Sequence, residues 1–139
     1  MNERRVVERR QHAACVGQTV TLRCHPPDKK DVDWHRTTTT GHNRIYSNGR
    51  MYEDFRDRFT VVKSDRGDYD LVIGNVSVTD TGRYVCVEDK GIGDRHIVEL
   101  NVTGKLSNHH LLAVPCFWFY SLKLYLGYYP RPGNQYRLF

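Results

Sequence analysis

A chain of 139 residues, 39% apolar and 27% charged, has room for one globular domain with a buried core and too little for two; its four cysteines are too few to replace a core, which excludes a small disulfide scaffold. The net charge of +5 sits in the flanks. Arg4, Arg5, Arg9 and Arg10 outweigh Glu3 and Glu8 in residues 1–12, Lys105, Lys123, Arg131 and Arg137 stand unopposed in 104–139, and the near-neutral middle argues against a phosphate-binding face and a nucleic-acid partner.

In chain order, Met1–Gln11 is charged and lacks the apolar stretch of a signal peptide, so the expectation is a natural amino terminus that is missing or misassigned. The segment ahead of Cys15 has only Val6 and Val7 to bury and reads as a poor strand. From there to residue 103 the chain is a series of short alternating segments separated by turn residues, the pattern of an all-β sandwich. In Thr19–Cys24, Val20, Leu22 and Cys24 share one face because strand side chains alternate sides. Val32 and Trp34 do the same in the next segment. Arg44–Ser47 runs into Asn48-Gly49, a strong hairpin signal because both residue types tolerate positive φ, and a short strand should return over Arg50–Tyr52. Phe59–Lys63 and Tyr69–Ile73 flank the turn-rich Ser64–Asp68 and should form a second hairpin. Arg83–Val87 and Ile97–Val102, joined by a turn at Lys90–Asp94, close the domain with Tyr84, Cys86, Val98, Leu100 and Val102 inward.

Cys24, Trp34 ten residues later, and Leu71-x-Ile73-x-x-Val76-x-x-x-Asp80-x-Gly82-x-Tyr84-x-Cys86 together resemble the immunoglobulin superfamily over Cys15–Thr103. Arg58-Phe59 and the hairpin at Asn48-Gly49 make it similar to the V-set, or to the related intermediate set. The resemblance implies a two-sheet antiparallel Greek-key β-sandwich over 13–103, between a charged flank (1–12) and an aromatic-rich tail (104–139), with its strands named B, C, C′, C″, D, E, F and G. It further implies a Cys24–Cys86 disulfide, Trp34 packed on it, Leu71 and Gly82 as core signature, a Tyr84 hydroxyl returning to the backbone near Asp80, and an Arg58–Asp80 salt bridge at the base. All of that is scaffold and names no ligand.

Cys15 and Cys116 are left over, as a second bridge or as two unpaired thiols. The seven histidines show no metal-ligand spacing, and neither a phosphate loop nor a G-x-S-x-G elbow occurs, so neither metal, cofactor nor catalytic residue is expected. Asn75-Val76-Ser77 and Asn101-Val102-Thr103 match the N-glycosylation triplet; Asn75 falls in a turn, and Asn101 points outward because Leu100 points in. Leu111–Tyr129 is apolar and close to the length of a bilayer span, but Pro115 and Lys123 interrupt it; a membrane anchor, an unordered tail and an aromatic run packed on the sandwich all fit.

With Trp34, Tyr84, Cys86, Val98 and Leu100 inward, alternation turns His35, Val85, Val87, Ile97 and Glu99 outward on the G, F, C and C′ sheet, with Tyr46 alongside. An exposed apolar patch is therefore expected there, as a face for a protein partner or a second copy. The functional expectation is a non-catalytic recognition or adhesion module at the cell surface or outside the cell; the alternative is an intracellular structural module of the cytoskeletal kind.

Overall fold

The computed structural model of the chain describes residues 5–28 and 30–104; the Leu111–Tyr129 stretch and Cys116 lie outside them. Among the described residues the strands are β1 (Val6–Cys15), β2 (Val20–Leu22), β3 (Asp33–Thr38), β4 (Gly41–Ser47), β5 (Arg50–Met51), β6 (Phe59–Lys63), β7 (Tyr69–Ile73), β8 (Gly82–Val87) and β9 (Arg95–Thr103), with short 3-10 turns at Glu53–Phe55 and Val78–Asp80. They form a sheet in the order β1-β9-β8-β3-β4-β5 and a second in the order β2-β7-β6. Neighbours pair antiparallel except β1, which runs parallel to β9 from Val6↔Arg95 to Cys15↔Thr103. The segment read as a poor strand is thus a ten-residue edge strand. Main-chain pairing holds it, while Val7 stays 41% exposed, which is why its side chains gave no burial pattern.

The core lies between the sheets. Val20 and Leu22 of β2, Leu71 and Ile73 of β7, and Tyr84, Val98 and Leu100 of β8 and β9 meet there around Trp34, which is fully buried and donates its Nε1–H to the Tyr69 carbonyl at 2.8 Å. Cys24 and Cys86 are bridged beside it, with Cα atoms 6.3 Å apart. Cys15, 1% exposed, is also disulfide-bonded, which corrects the reading of it as an unpaired thiol.

The base of the sandwich is tied by one buried carboxylate. Asp80, 1% exposed, accepts from Arg58 Nη1 at 2.8 Å and Nη2 at 3.0 Å, and from the Ser77 amide at 2.9 Å. The Asp80 backbone carbonyl accepts the Tyr84 hydroxyl at 2.6 Å. Gly82 is obligatory for a steric reason, since a Cβ there would stand 2.7 Å from the Thr37 carbonyl oxygen. At the opposite end, Asn48 and Gly49 take φ of 54° and 74°, the left-handed pair that a two-residue hairpin needs.

Candidate functional site

The outer face of the larger sheet carries the row Ile97, Val85, His35 across β9, β8 and β3, set by the pairs Val85↔Ile97 and His35↔Val85. Alternation therefore places these side chains on the side expected. Their exposure is another matter. Val85 (4%), Val87 (1%) and Ile97 (2%) are buried in a second apolar cluster, separate from the sandwich core, with Val6 packed against it. A register shift between Val6 and Glu8 accompanies Val6 pairing with Arg95, itself opposite Val87. An exposed aliphatic patch at Val85, Val87 and Ile97 is thus overturned: strand parity assigns a side chain to a face without saying what lies over it. Tyr46, also expected outward, is 4% exposed and belongs to the core cluster. Burial and the nearby Asp31 push its phenol well above the ordinary tyrosine range, and its hydroxyl donates to Asp31 Oδ1 at 3.3 Å. Glu99 stays half-exposed, accepting from Arg83 Nε at 2.7 Å, and His35 is half-buried.

What the outer face does open is a cleft of about 260 Å³ over β3 and β4 beside the β8–β9 turn, lined by Asp33, His35, His42, Arg44, Val87 and Gly91 among others. The His35 and His42 rings lie 4.8 Å apart, and Asp33 Oδ1 accepts from the Ser47 hydroxyl at 2.9 Å. A carboxylate, two imidazoles and a guanidinium in one cleft can donate and accept hydrogen bonds, the chemistry that orients polar side chains of another protein.

Beside the cleft stands the turn between β8 and β9. Asp89, Lys90 and Gly91 take φ of 51°, 57° and 94°, three consecutive left-handed residues of which two carry a Cβ. Such a backbone is disfavoured by about 1–2 kcal/mol per non-glycine residue and persists only when its surroundings over-determine it. Here they do. The Lys90 amide donates to the Asp31 carbonyl, the Glu88 amide to the Asp94 carbonyl and the Gly93 amide to the Glu88 carbonyl, each at 2.8 Å. Glu88, 7% exposed, holds its Oε2 2.6 Å from His96 Nε2, and Glu8 Oε1 lies 3.3 Å from the other ring nitrogen. At the tip this frame presents Ile92, 72% exposed. Sequence reasoning passed over Ile92 as part of an ordinary turn. The signal was there in Gly91-Ile92-Gly93, since a β-branched apolar residue between glycines serves neither turn geometry nor solubility.

The comparisons with known proteins agree with this architecture. An immunoglobulin V-set domain model matches residues 8–103. The human protein butyrophilin subfamily 2 member A2 is 34% identical over 142 residues, covering 89% of this chain, which spans only 27% of that relative. Among solved structures, the first Ig domain of mouse polymeric immunoglobulin receptor superposes with a TM-score of 0.58 at 22% identity, over 70% of this chain and 93% of that one. The ZIG-8 IG1 homodimer gives a TM-score of 0.58 at 21% identity, over 74% and 86%. The disulfide between the sheets, the tyrosine corner on Asp80, the strand order and the family match over most of the chain lead to one conclusion: the chain belongs to the immunoglobulin V-set domain family.

Proposed function

We propose that this chain is a non-catalytic recognition module that works outside the cell or at its surface, binding a protein partner through the cleft over β3 and β4 and the adjoining β8–β9 turn. The observation that carries this reading is Ile92, 72% exposed on a turn locked in left-handed geometry. An exposed apolar residue held on a stiff turn offers an interface an anchor whose ordering cost has already been met. Two further facts support it. The relatives and neighbours include a butyrophilin, an immunoglobulin receptor and an Ig homodimer. The Cys24–Cys86 bridge suits an oxidising compartment and disfavours the intracellular structural alternative.

The test uses the full chain, tetramerised and fluorescently labelled, on a panel of live cells. Ile92→Asp should reduce staining at least tenfold, about 1.4 kcal/mol per binding site, while the melting temperature moves by no more than about 2 °C because an exposed tip contributes little to stability. Protease treatment of the cells should abolish staining by the unaltered chain. Equal staining by Ile92→Asp and the unaltered chain would remove the turn from the interface.

A further inference from the structure

We infer that the chain carries N-linked glycans at both Asn75 and Asn101, rooted at the base of the sandwich, so that partners are left to approach from the β8–β9 turn. The inference rests on the extracellular reading above, because only the secretory pathway supplies the sugar donor, a polyprenyl-pyrophosphate-linked oligosaccharide. In that transfer the asparagine Nδ2 bonds to the anomeric carbon, that carbon's bond to the pyrophosphate breaks, the lipid pyrophosphate leaves, and the amide gives up one proton.

Both asparagines stand where a sugar can project. Asn75 is exposed with φ of 48°, between Gly74 and the fully buried Val76. Its carbonyl accepts from Arg58 Nη1 at 3.3 Å, so the turn that presents it is fixed to the same arginine that grips Asp80. Asn101 is exposed between Leu100 and Val102, each 2% exposed and committed to the core, and this forces its side chain onto the outer face. Its cross-strand neighbour is Ala13, whose methyl leaves the adjoining surface open. A broad groove of about 490 Å³ lies there, lined by Gln11, Ala13, Gly82, Glu99 and Asn101 among others, and its mixed polar and apolar walls leave room for the first sugars of the chain.

Their position within the fold sets the consequence. Asn75 lies in the turn after β7, next to the Val78–Asp80 turn at the base. Asn101 lies four residues beyond Ile97 on β9, roughly 13 Å further toward the base at about 3.3 Å per residue. Glycans there cover the base and the lower part of the outer face, and leave Ile92 and the β3–β4 cleft open.

The experiment secretes the full chain from cultured mammalian cells behind a heterologous leader peptide. Enzymatic deglycosylation in heavy-oxygen water should convert both asparagines to labelled aspartates by peptide mass spectrometry, and Asn75→Gln and Asn101→Gln should each remove one glycan from the secreted chain. An unmodified Asn75 or Asn101 in secreted chain that holds the Cys24–Cys86 bridge overturns the assignment of that site. Because the leader guarantees entry to the secretory pathway, that failure is distinct from failure of the extracellular reading, which would show as reduced Cys24 and Cys86 in native tissue. The positional claim has its own arm. Asn75→Gln with Asn101→Gln should leave cell staining within twofold, whereas Ile92→Asn with Asp94→Thr, which builds a new triplet at the turn, should stain well below Ile92→Asn with Asp94→Ala, which loses the same anchor without gaining a glycan; a tenfold loss on removing the base glycans would overturn the placement.

Discussion

Asp80 is a buried carboxylate that the fold keeps charged. Burial alone would raise its pKa, but the hydrogen bonds from Arg58 and the Ser77 amide, with the charges of Arg58 and Arg36, outweigh that and hold it below the ordinary carboxylate range. Between its folded pKa and an unfolded value of about 3.9, the unfolded chain binds more protons than the folded one. The contribution to stability is therefore fully present above about pH 4 and is lost as pH falls through the folded pKa. Arg58→Ala leaves Asp80 with Arg36 at 3.5 Å as its remaining cation. Urea unfolding at neutral pH should show that variant destabilised by about 3 kcal/mol, as expected when a buried charge loses its partner. Asp80→Asn should start from lower stability and change less than the unaltered protein between about pH 4 and pH 2. Parallel pH profiles for the two would show that Asp80 does not titrate as described.

Among the elements, β6 and β7 could be read to the residue, because Phe59–Lys63 and Tyr69–Ile73 alternate cleanly and a turn-rich loop separates them. β3 and β4 extend further than their apolar pattern suggested, through Thr37, Thr38, His42 and Asn43, which are polar and mostly exposed and so leave no period to detect. β1 escaped for a related reason, since an edge strand is held by main-chain bonds that any residue except proline supplies. Of the candidate site, the side of the sheet was legible from Trp34, Cys86 and Leu100, but the burial of Val85, Val87 and Ile97 was not, because it depends on segments distant in sequence. Nor does any residue type announce the left-handed Asp89 and Lys90. The turn they form has a direct test in Gly91, whose φ of +94° is matched by a Cβ position only 2.6 Å from Asp33 Oδ2. Gly91→Ala should destabilise the domain by about 1–2 kcal/mol and speed amide exchange at Lys90, whose bond to Asp31 anchors the turn. Unchanged protection at Lys90 would show that the turn does not depend on Gly91.

At the scale of the whole molecule, the Cys24–Cys86 disulfide joins the two sheets in the middle of the core. Cys24 and Cys86 are 62 residues apart, and closing a loop of that length is worth about 4 kcal/mol in the chain-entropy model. Trp34 lies in the same core and is fully buried. The double variant Cys24→Ala with Cys86→Ala, which leaves Cys15 untouched, should lose about 2–5 kcal/mol in denaturant unfolding. A loss under about 1 kcal/mol would mean that sheet packing alone sets the stability.

The parallel pairing of β1 with β9 also decides how the domain bears tension. The chain enters β1 beside the β8–β9 turn, where the Arg5 carbonyl accepts from the Arg95 amide at 2.7 Å, and leaves β9 at Thr103. In a Cys15→Ser variant, where no disulfide at the end of β1 shares the load, traction applied before Val6 and at Thr103 therefore drags two adjacent strands in opposite directions along their own axes. The rungs of the ladder from Val6↔Arg95 to Cys15↔Thr103 lie across that load and share it, unlike a hairpin that unzips rung by rung. Rupture under force is governed by the unfolding barrier rather than by equilibrium stability. Neighbouring amides in a strand point to opposite sides, so of Arg9→Pro and Arg10→Pro one removes a rung of the ladder and the other only an amide on the open edge. Single-molecule pulling in the Cys15→Ser background should find the two variants unequal, with the rung-removing proline yielding at markedly lower force. Held this way, the sandwich passes a pull from one end to the other through its outermost pair of strands, and its core opens only after that pair has sheared.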